Sequence, residues 1–366
     1  MDTTDPLITF DKKGFCNHCT RYFEKEGKFV LKREEGQRKL QKLIDKIKTA
    51  GTNSKYDCLL GVSGGTDSSY VAYLAKQYGL RVLLFSFDNG WDTEVAKKNV
   101  TWIVDATGSD IFEYTVDFDE FRDLQLAFLK ASVINIEMIT DHAIAAALYK
   151  VATAKHIKYI LTGINYVTEA IMPASWGHRF NDLPNIKAIH QKYGTKLLKT
   201  YPTMSLWKLV YNRVVRGIQL IPILNYIYYN KEEAKKTLRN AFHWQDYGLK
   251  HYESLWTKFY QSYILPRKFG VDKRKAHLST LICSGQITRQ QALKELMKPP
   301  YDQKELEHDM QVVLKKLGVS DEEFEDLMKL PIKKHQEYGT DEWLYLLLRS
   351  LRDCILPLSK GEKLTE

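Results

Sequence analysis

The sequence predicts an α/β protein: a Rossmann-like parallel sheet with helices on both faces, followed by a mainly helical C-terminal region. Three observations predict it. Between Tyr56 and Gly163, short apolar runs alternate with helical stretches, which is the β-α-β-α order of a parallel sheet covered on both sides. The first apolar run passes directly into a Gly-rich loop, Ser63-Gly-Gly-Thr-Asp-Ser-Ser69, and then into a helix. From Lys231 onward the apolar spacing is helical to the end of the chain.

Residues 1–30 read as a turn-rich head containing Cys16-Asn-His-Cys19. A linker helix occupies 31–54, with Leu40, Leu43, Ile44 and Ile47 on one face and Gly51-Thr-Asn-Ser54 as its breaker. The sheet domain is assigned to 55–205. Its strands are expected at Tyr56–Val62, Arg81–Asp88, Ile111–Val116 and Tyr159–Gly163. Helices are expected at Ser68–Tyr78, Thr93–Ala106, Phe118–Ala131 and Ile139–His156. Residues 171–201, rich in Pro, Gly, His and Asn, read as a long functional loop. The helical C-terminal region is assigned to 206–366. Within it, Leu206–Tyr229 reads as an internal helix and its neighbour, interrupted by Pro222, and Leu344–Leu351 as a stretch packed on the core.

Composition narrows the function classes. The chain has 366 residues and a net charge of +9, which suits an anionic partner, but the charge is spread along the sequence. It contains no uninterrupted apolar run long enough for a membrane span and no signal-peptide pattern, so a cytoplasmic location is expected. Five scattered cysteines do not make a disulfide framework.

The loop carries the strongest chemical signal. A strand feeding a Gly-rich turn and a helix aims free backbone N–H groups and the positive end of the helix dipole at one point, which suits an anion. Gly64 and Gly65 allow close backbone approach, and Ser63, Ser68 and Ser69 add hydroxyls. Asp67 suits a helix cap. No Lys follows the glycines, so this is not the loop of kinases and GTPases. Ligands on such sheets lie at the carboxyl ends of strands, where Asp88-Asn89-Gly90-Trp91 and Gly163-Ile-Asn165, with Glu169, are also expected. Asn89-Gly90 reads equally as a turn. Cys16 and Cys19 have zinc-knuckle spacing but form only half of a tetrahedral set, with Cys283 remote in sequence and His18 badly placed. The cationic string Leu265–Leu293 includes Lys273, Arg274, Lys275 and His277, which suit either phosphate contact or an ordinary charged helix start.

The pattern Ser-Gly-Gly-X-Asp-Ser resembles the pyrophosphate-binding loop of the PP-loop ATP pyrophosphatase superfamily, whose fold is of the adenine nucleotide alpha hydrolase type. Further segments resemble one branch, the N-acetyl sugar amidotransferases of O-antigen (lipopolysaccharide) and flagellar-glycan biosynthesis. They are Asp5–Cys19, Gly163–Trp176, Trp244–Ser254 and Leu265–Leu293. The resemblance implies an ATP-dependent, AMP- and pyrophosphate-forming enzyme that converts an N-acetyl group of a nucleotide-activated sugar to an acetamidino group with ammonia. It implies ATP held by Ser63–Ser69, Asp88, Asn89 and Gly163, with Mg²⁺ at Asp67. It implies substrate contacts from Asn165, Glu169, Trp176, Lys250, His251 and Arg274, and catalytic charge from Asp67, Lys273, Lys275 and His277. Family members carry another Cys pair just ahead of the position of Met1, so a zinc site here would rest on Cys16 and Cys19 alone. His178, His190, His251 and His277 are open as general bases. The chain shows neither an N-terminal nucleophilic Cys (residue 2 is Asp) nor a Gly-X-Cys-X-Gly turn, so it reads as a synthetase without its own glutaminase. The resemblance implies the ammonia source: a separate glutaminase subunit, with a barrel-shaped conducting subunit. Two rivals stand: a tRNA-thiolating enzyme with the same loop, and a nucleotide-binding scaffold without turnover. The thiolase would need a reactive Cys near the strand ends, and Cys58 lies inside the first strand. No nucleic acid is expected as partner.

Overall fold

The computed structural model describes residues 1–31, 33–248 and 252–355. Its centre is a five-stranded, all-parallel sheet in the order β3-β2-β1-β4-β5. The strands are β1 (Cys58–Gly61), β2 (Val82–Asp88), β3 (Asp110–Thr115), β4 (Tyr159–Thr162) and β5 (Gln219–Pro222). Beyond β1 the order reverses, so β1 and β4 flank the switch point where open parallel sheets leave a crevice. Leu59 and Leu60 of β1 pair with Leu83 and Leu84 of β2 on one side and Ile160 and Leu161 of β4 on the other. All six side chains are buried, as expected for strands covered on both faces.

Helices α1 (Asn17–Phe29) and α2 (Arg33–Gly51) precede the sheet. Within it come α3 (Thr66–Gln77), α4 (Glu94–Thr107), α5 (Phe118–Ala131), α6 (Met138–Ala154), α7 (Tyr166–Glu169), α8 (Leu183–Tyr193) and α9 (Leu206–Val214). After β5 follow α10 (Lys231–Phe242), α11 (Leu255–Phe259), α12 (Leu265–Phe269), α13 (Arg274–Cys283), α14 (Arg289–Leu296), α15 (Gln303–Leu317), α16 (Asp321–Lys329) and α17 (Glu342–Ile355). Side chains cap these starts locally: Thr93 accepts from Ala96 N–H and Asp117 from Glu120 N–H. One core, on the α5 and α6 side, continues into α11, α12, α15 and α16 through Trp256, Phe259, Leu314 and Phe324. The other lies under α2, α3 and α10 through Ile44, Val71 and Leu238.

Three sequence readings are corrected. The sheet takes its fifth strand from Gln219–Pro222, past residue 205 and inside the stretch read as helical. An edge strand tolerates Pro222 at its end because no ladder N–H is needed there. The 171–201 loop contains α8, capped by Asp182 on Asn185 N–H and started by Pro184. In α17, Leu344, Tyr345 and Leu348 pack on the core, whereas Trp343, Leu346 and Leu347 are exposed. Among the described residues no helix is long and apolar enough to cross a membrane.

Candidate active site

The loop after β1 is built by backbone contact. Gly64 has φ +73°, and a Cβ there would collide with the Ala96 carbonyl oxygen, so only glycine fits. The same carbonyl-bearing residue is pinned from outside: Gly64 O accepts from the Trp244 indole N–H at 2.9 Å and from Asn99 Nδ2 at 3.1 Å. Gly163 closes the other wall, since a Cβ at that position would lie 2.8 Å from Ser68 N. The end of β4 therefore touches the first turn of α3 with no side chain between them.

Gly65, not Asp67, is the cap residue of α3, and having no side chain it makes no cap bond of its own. The Asp67 carboxylate instead accepts from the Tyr229 hydroxyl. Burial and the Asp67 charge push the Tyr229 phenol up, so it stays a donor. Thr66 N–H, at the helix start, donates to the Tyr247 hydroxyl at 3.1 Å. Ser68 Oγ accepts from Ser63 N–H at 3.4 Å, and Ser69 donates to Gly65 O at 2.6 Å. Two hydroxyls around the loop, Thr66 Oγ1 and Thr162 Oγ1, are buried with no hydrogen-bond partner. Groups of this kind ordinarily find a partner.

At the end of β2, Asp88 Oδ1 accepts from Gly90 N–H at 2.8 Å, and Asn89 is buried with its Oδ1 on Trp91 N–H at 3.3 Å. The turn reading of this segment thus holds. Asp92 follows, with its carboxyl raised to about 7 by burial, then by the charges of Asp88 and Glu253. Glu253 reaches the loop itself: a Cβ on Gly65 would be 3.2 Å from its Oε1 and 3.2 Å from the Tyr247 hydroxyl. Thr93 N–H donates to Glu253 O at 2.9 Å and Leu255 N–H to Trp91 O at 2.9 Å, which stitches this segment onto the β2 end.

Residues 253–352, which begin at that contact, match the family described as LPS biosynthesis protein WbpG-like, C-terminal domain. The segment is similar to the WbpG-like family. That match supports the branch resemblance drawn from the sequence. No curated protein matches the chain. Among solved structures, the NH3-dependent NAD synthetase of Campylobacter jejuni, in complex with nitrate, is similar at 16% identity and a TM-score of 0.30, over 57% of this chain and 85% of that one. The NAD+ synthetase of Burkholderia pseudomallei is similar at 17% identity and 0.31, over 62% and 99%. The NMN synthetase of Francisella tularensis stands at 11% identity and 0.30, over 62% and 93%. Overlaps this loose carry no residue roles to the present chain.

The WbpG-like segment places the cationic string beside the β4 end. Helix α13 packs on α7, with Thr280 Oγ1 accepting from Ile171 N–H at 3.1 Å. Its charges are mostly spent within the fold. Arg274 binds Asp272 (2.7 Å) and the Lys298 carbonyl (3.0 Å), and Lys275 pairs with Asp2 at 2.7 Å. Both side chains are thus engaged within the fold. Lys273 lies 5.7 Å from the Tyr260 ring centroid and helps offset the Glu137 charge. Glu137, missed in the sequence, is buried with Oε2 accepting from Thr257 at 2.9 Å, and burial, then Asp141, raises it to about 7. His277 is half-buried on α13.

Other expected residues take structural roles. Asn165 is buried and caps α7, accepting from Thr168 N–H at 2.9 Å, and its own N–H donates to Glu169 Oε2 at 3.3 Å. Trp176 is buried and donates to Thr4 O at 3.5 Å, so it offers no open face. His178 binds Asp182 at 2.9 Å and stacks on His335 at 4.3 Å, and His190 binds Lys196 O at 2.8 Å. Both histidines are thereby engaged away from the loop. Lys250 and His251 lie outside the described residues.

The zinc expectation finds no support. Cys16 and Cys19 Sγ stand 3.4 Å apart, and Cys283, remote in sequence, hydrogen-bonds Cys19. That bond is the main reason Cys19 is lowered to about 5, while Cys283 is pushed up by the same partner and by burial. His18 turns to Asp5 at 2.7 Å. Among the described residues no group of three or more His, Cys, Asp or Glu is arranged to hold a metal ion. For magnesium, the Asp67 carboxylate at the loop suits the one protein ligand that a phosphate-bound Mg²⁺ needs.

Proposed function

We propose that this protein is an ATP-dependent amidotransferase that adenylylates the N-acetyl oxygen of a nucleotide-activated sugar. Ammonia then displaces AMP to leave an acetamidino group. The observation that carries this reading is the loop Ser63–Ser69: a glycine-only turn that runs straight into the start of α3 and is pressed against the end of β4 at Gly163. Such a place fits the β- and γ-phosphates of ATP, with Asp67 beside the accompanying Mg²⁺. Mg²⁺ there would offset charge on the departing pyrophosphate.

An amide carbonyl is a poor electrophile and its oxygen a poor leaving group. Bond formation from that oxygen to the α-phosphorus, with loss of pyrophosphate, turns it into one that departs as AMP. The chain's part is to hold pyrophosphate on preorganised N–H groups, which is electrostatic catalysis. A separate glutaminase subunit, with a barrel-shaped conducting subunit, is the proposed ammonia source.

The test incubates the protein with ATP, Mg²⁺ and ammonium across a panel of nucleotide N-acetyl sugars, following pyrophosphate and AMP. Sugar-dependent release with ¹⁵N from ammonium in the product supports the reading. Release that requires tRNA and a sulfur donor instead would replace it with the thiolase.

A further inference from the structure

We propose that a second pocket, between β3, α6, the 199–204 segment and α9, binds a phosphate-bearing ring compound of the nucleoside diphosphate class. It shares no residue with the Ser63–Ser69 loop, and the proposal is independent of the reaction assigned there. The cavity is about 680 Å³, within the range of small-ligand sites, which run from roughly 300 to 1,000 Å³. Four cations line it, Lys150, Lys199, Lys208 and Arg216, and no Asp or Glu does. Among the described residues none of the four side chains has an ion pair. Four like charges facing one concavity repel each other, and an anion carrying more than one charge relieves that repulsion.

Flat rings stand among the charges. Lys150 Nζ is 3.2 Å from the Tyr114 hydroxyl and 5.2 Å from its ring centroid, and the Arg216 guanidinium lies 5.4 Å from the Tyr211 centroid. Tyr149, on the α6 wall, accepts from Arg213 Nε at 2.9 Å, so a fifth cation stands behind it. Phosphates meet the cations and a base or sugar ring meets the tyrosines.

The wall is fixed before any ligand arrives. Glu120 Oε2 accepts from Lys199 N–H and Thr200 N–H at 2.8 Å each, from the Thr200 hydroxyl at 3.1 Å and from Tyr201 N–H at 3.3 Å. That carboxylate is filled by backbone donors and held behind the segment rather than facing the cations. Tyr201 donates to Ile139 O at 2.7 Å and Met204 N–H to His142 Nε2 at 3.1 Å, which ties the segment to α6.

A lipid headgroup offers the same phosphate chemistry, and Trp207, Val214 and Val215 are exposed on α9. The concave shape favours the soluble ligand. The experiment is calorimetric titration of the full chain with UDP, with uridine as the uncharged control. A parallel arm uses phosphatidylglycerol vesicles. UDP is expected to bind and uridine not. Lys208→Glu with Arg216→Glu is expected to weaken UDP at least about tenfold, whereas Asp67→Asn leaves UDP affinity unchanged. Should the double variant unfold, Lys150→Met and Lys199→Met read the same loss singly. No UDP binding, UDP binding that survives these substitutions, or binding to vesicles alone would each overturn the proposal.

Discussion

At the carboxyl end of β1 an anion meets backbone: Gly64 at φ +73°, the first turn of α3, and Gly163 pressed against Ser68. Between β3, α6 and α9 it meets side chains: Lys150, Lys199, Lys208 and Arg216 with tyrosine rings among them. The first place is shaped by contacts that leave no room for a methyl group. The second is shaped by long, flexible arms anchored on a fixed wall. Backbone donors give geometry that one added carbon destroys, and side-chain cations give charge that salt and single substitutions grade. The two should therefore break differently.

The largest effect is expected from Gly64→Ala, which puts a Cβ into the Ala96 carbonyl and strains a positive φ. ATP-dependent pyrophosphate release should fall by at least about 100-fold, while UDP binding at the second pocket is retained. Next is Glu120→Ala, which strands the N–H groups of Lys199 and Thr200. Urea unfolding should show a loss of about 3 kcal/mol, and a loss below 0.5 kcal/mol would mean that the 199–204 wall is not held as described. A paired comparison follows. Arg274→Ala removes hydrogen bonds to Asp272 and Lys298 and should lower stability by about 1–2 kcal/mol, whereas Arg216→Ala should stay within about 0.5 kcal/mol yet weaken UDP.

The smallest effect concerns pH. Asp92 is raised to about 7 from 3.8, so the folded chain binds a proton there that the unfolded chain releases. Its stabilising contribution is complete below about pH 4 and is lost as pH rises through 7. Asp92→Asn should accordingly raise Tm by a few degrees at pH 8 and by less at pH 5 in thermal scans, roughly 4–8 °C per kcal/mol being usual only for small domains.

Much of this was legible in the sequence, because buried parallel strands and their helices leave strong local signals. The Ser63–Ser69 loop declared itself through its glycines at a strand–helix junction. Charge is harder to read from sequence, for a topological reason. Lys273–His277 is the densest cationic run, yet Asp272 pairs with its Arg274 and Asp2, from the far end of the chain, with its Lys275. Lys150, Lys199, Lys208 and Arg216 are scattered and look unremarkable until α6 and α9 close on one another. Cys283 met Cys19 for the same reason. Tyr229, Tyr247 and Glu253 were beyond reach, since a tyrosine or a glutamate on a polar stretch carries no local mark of the loop it will touch. β5 was hidden by its brevity and its terminal proline.

Tyr247 holds the first N–H of α3 and stands just ahead of the WbpG-like segment. Any anion that takes that N–H must take it from Tyr247. Burial holds that phenol protonated, so seating an anion at the start of α3 and displacing Tyr247 from it are coupled.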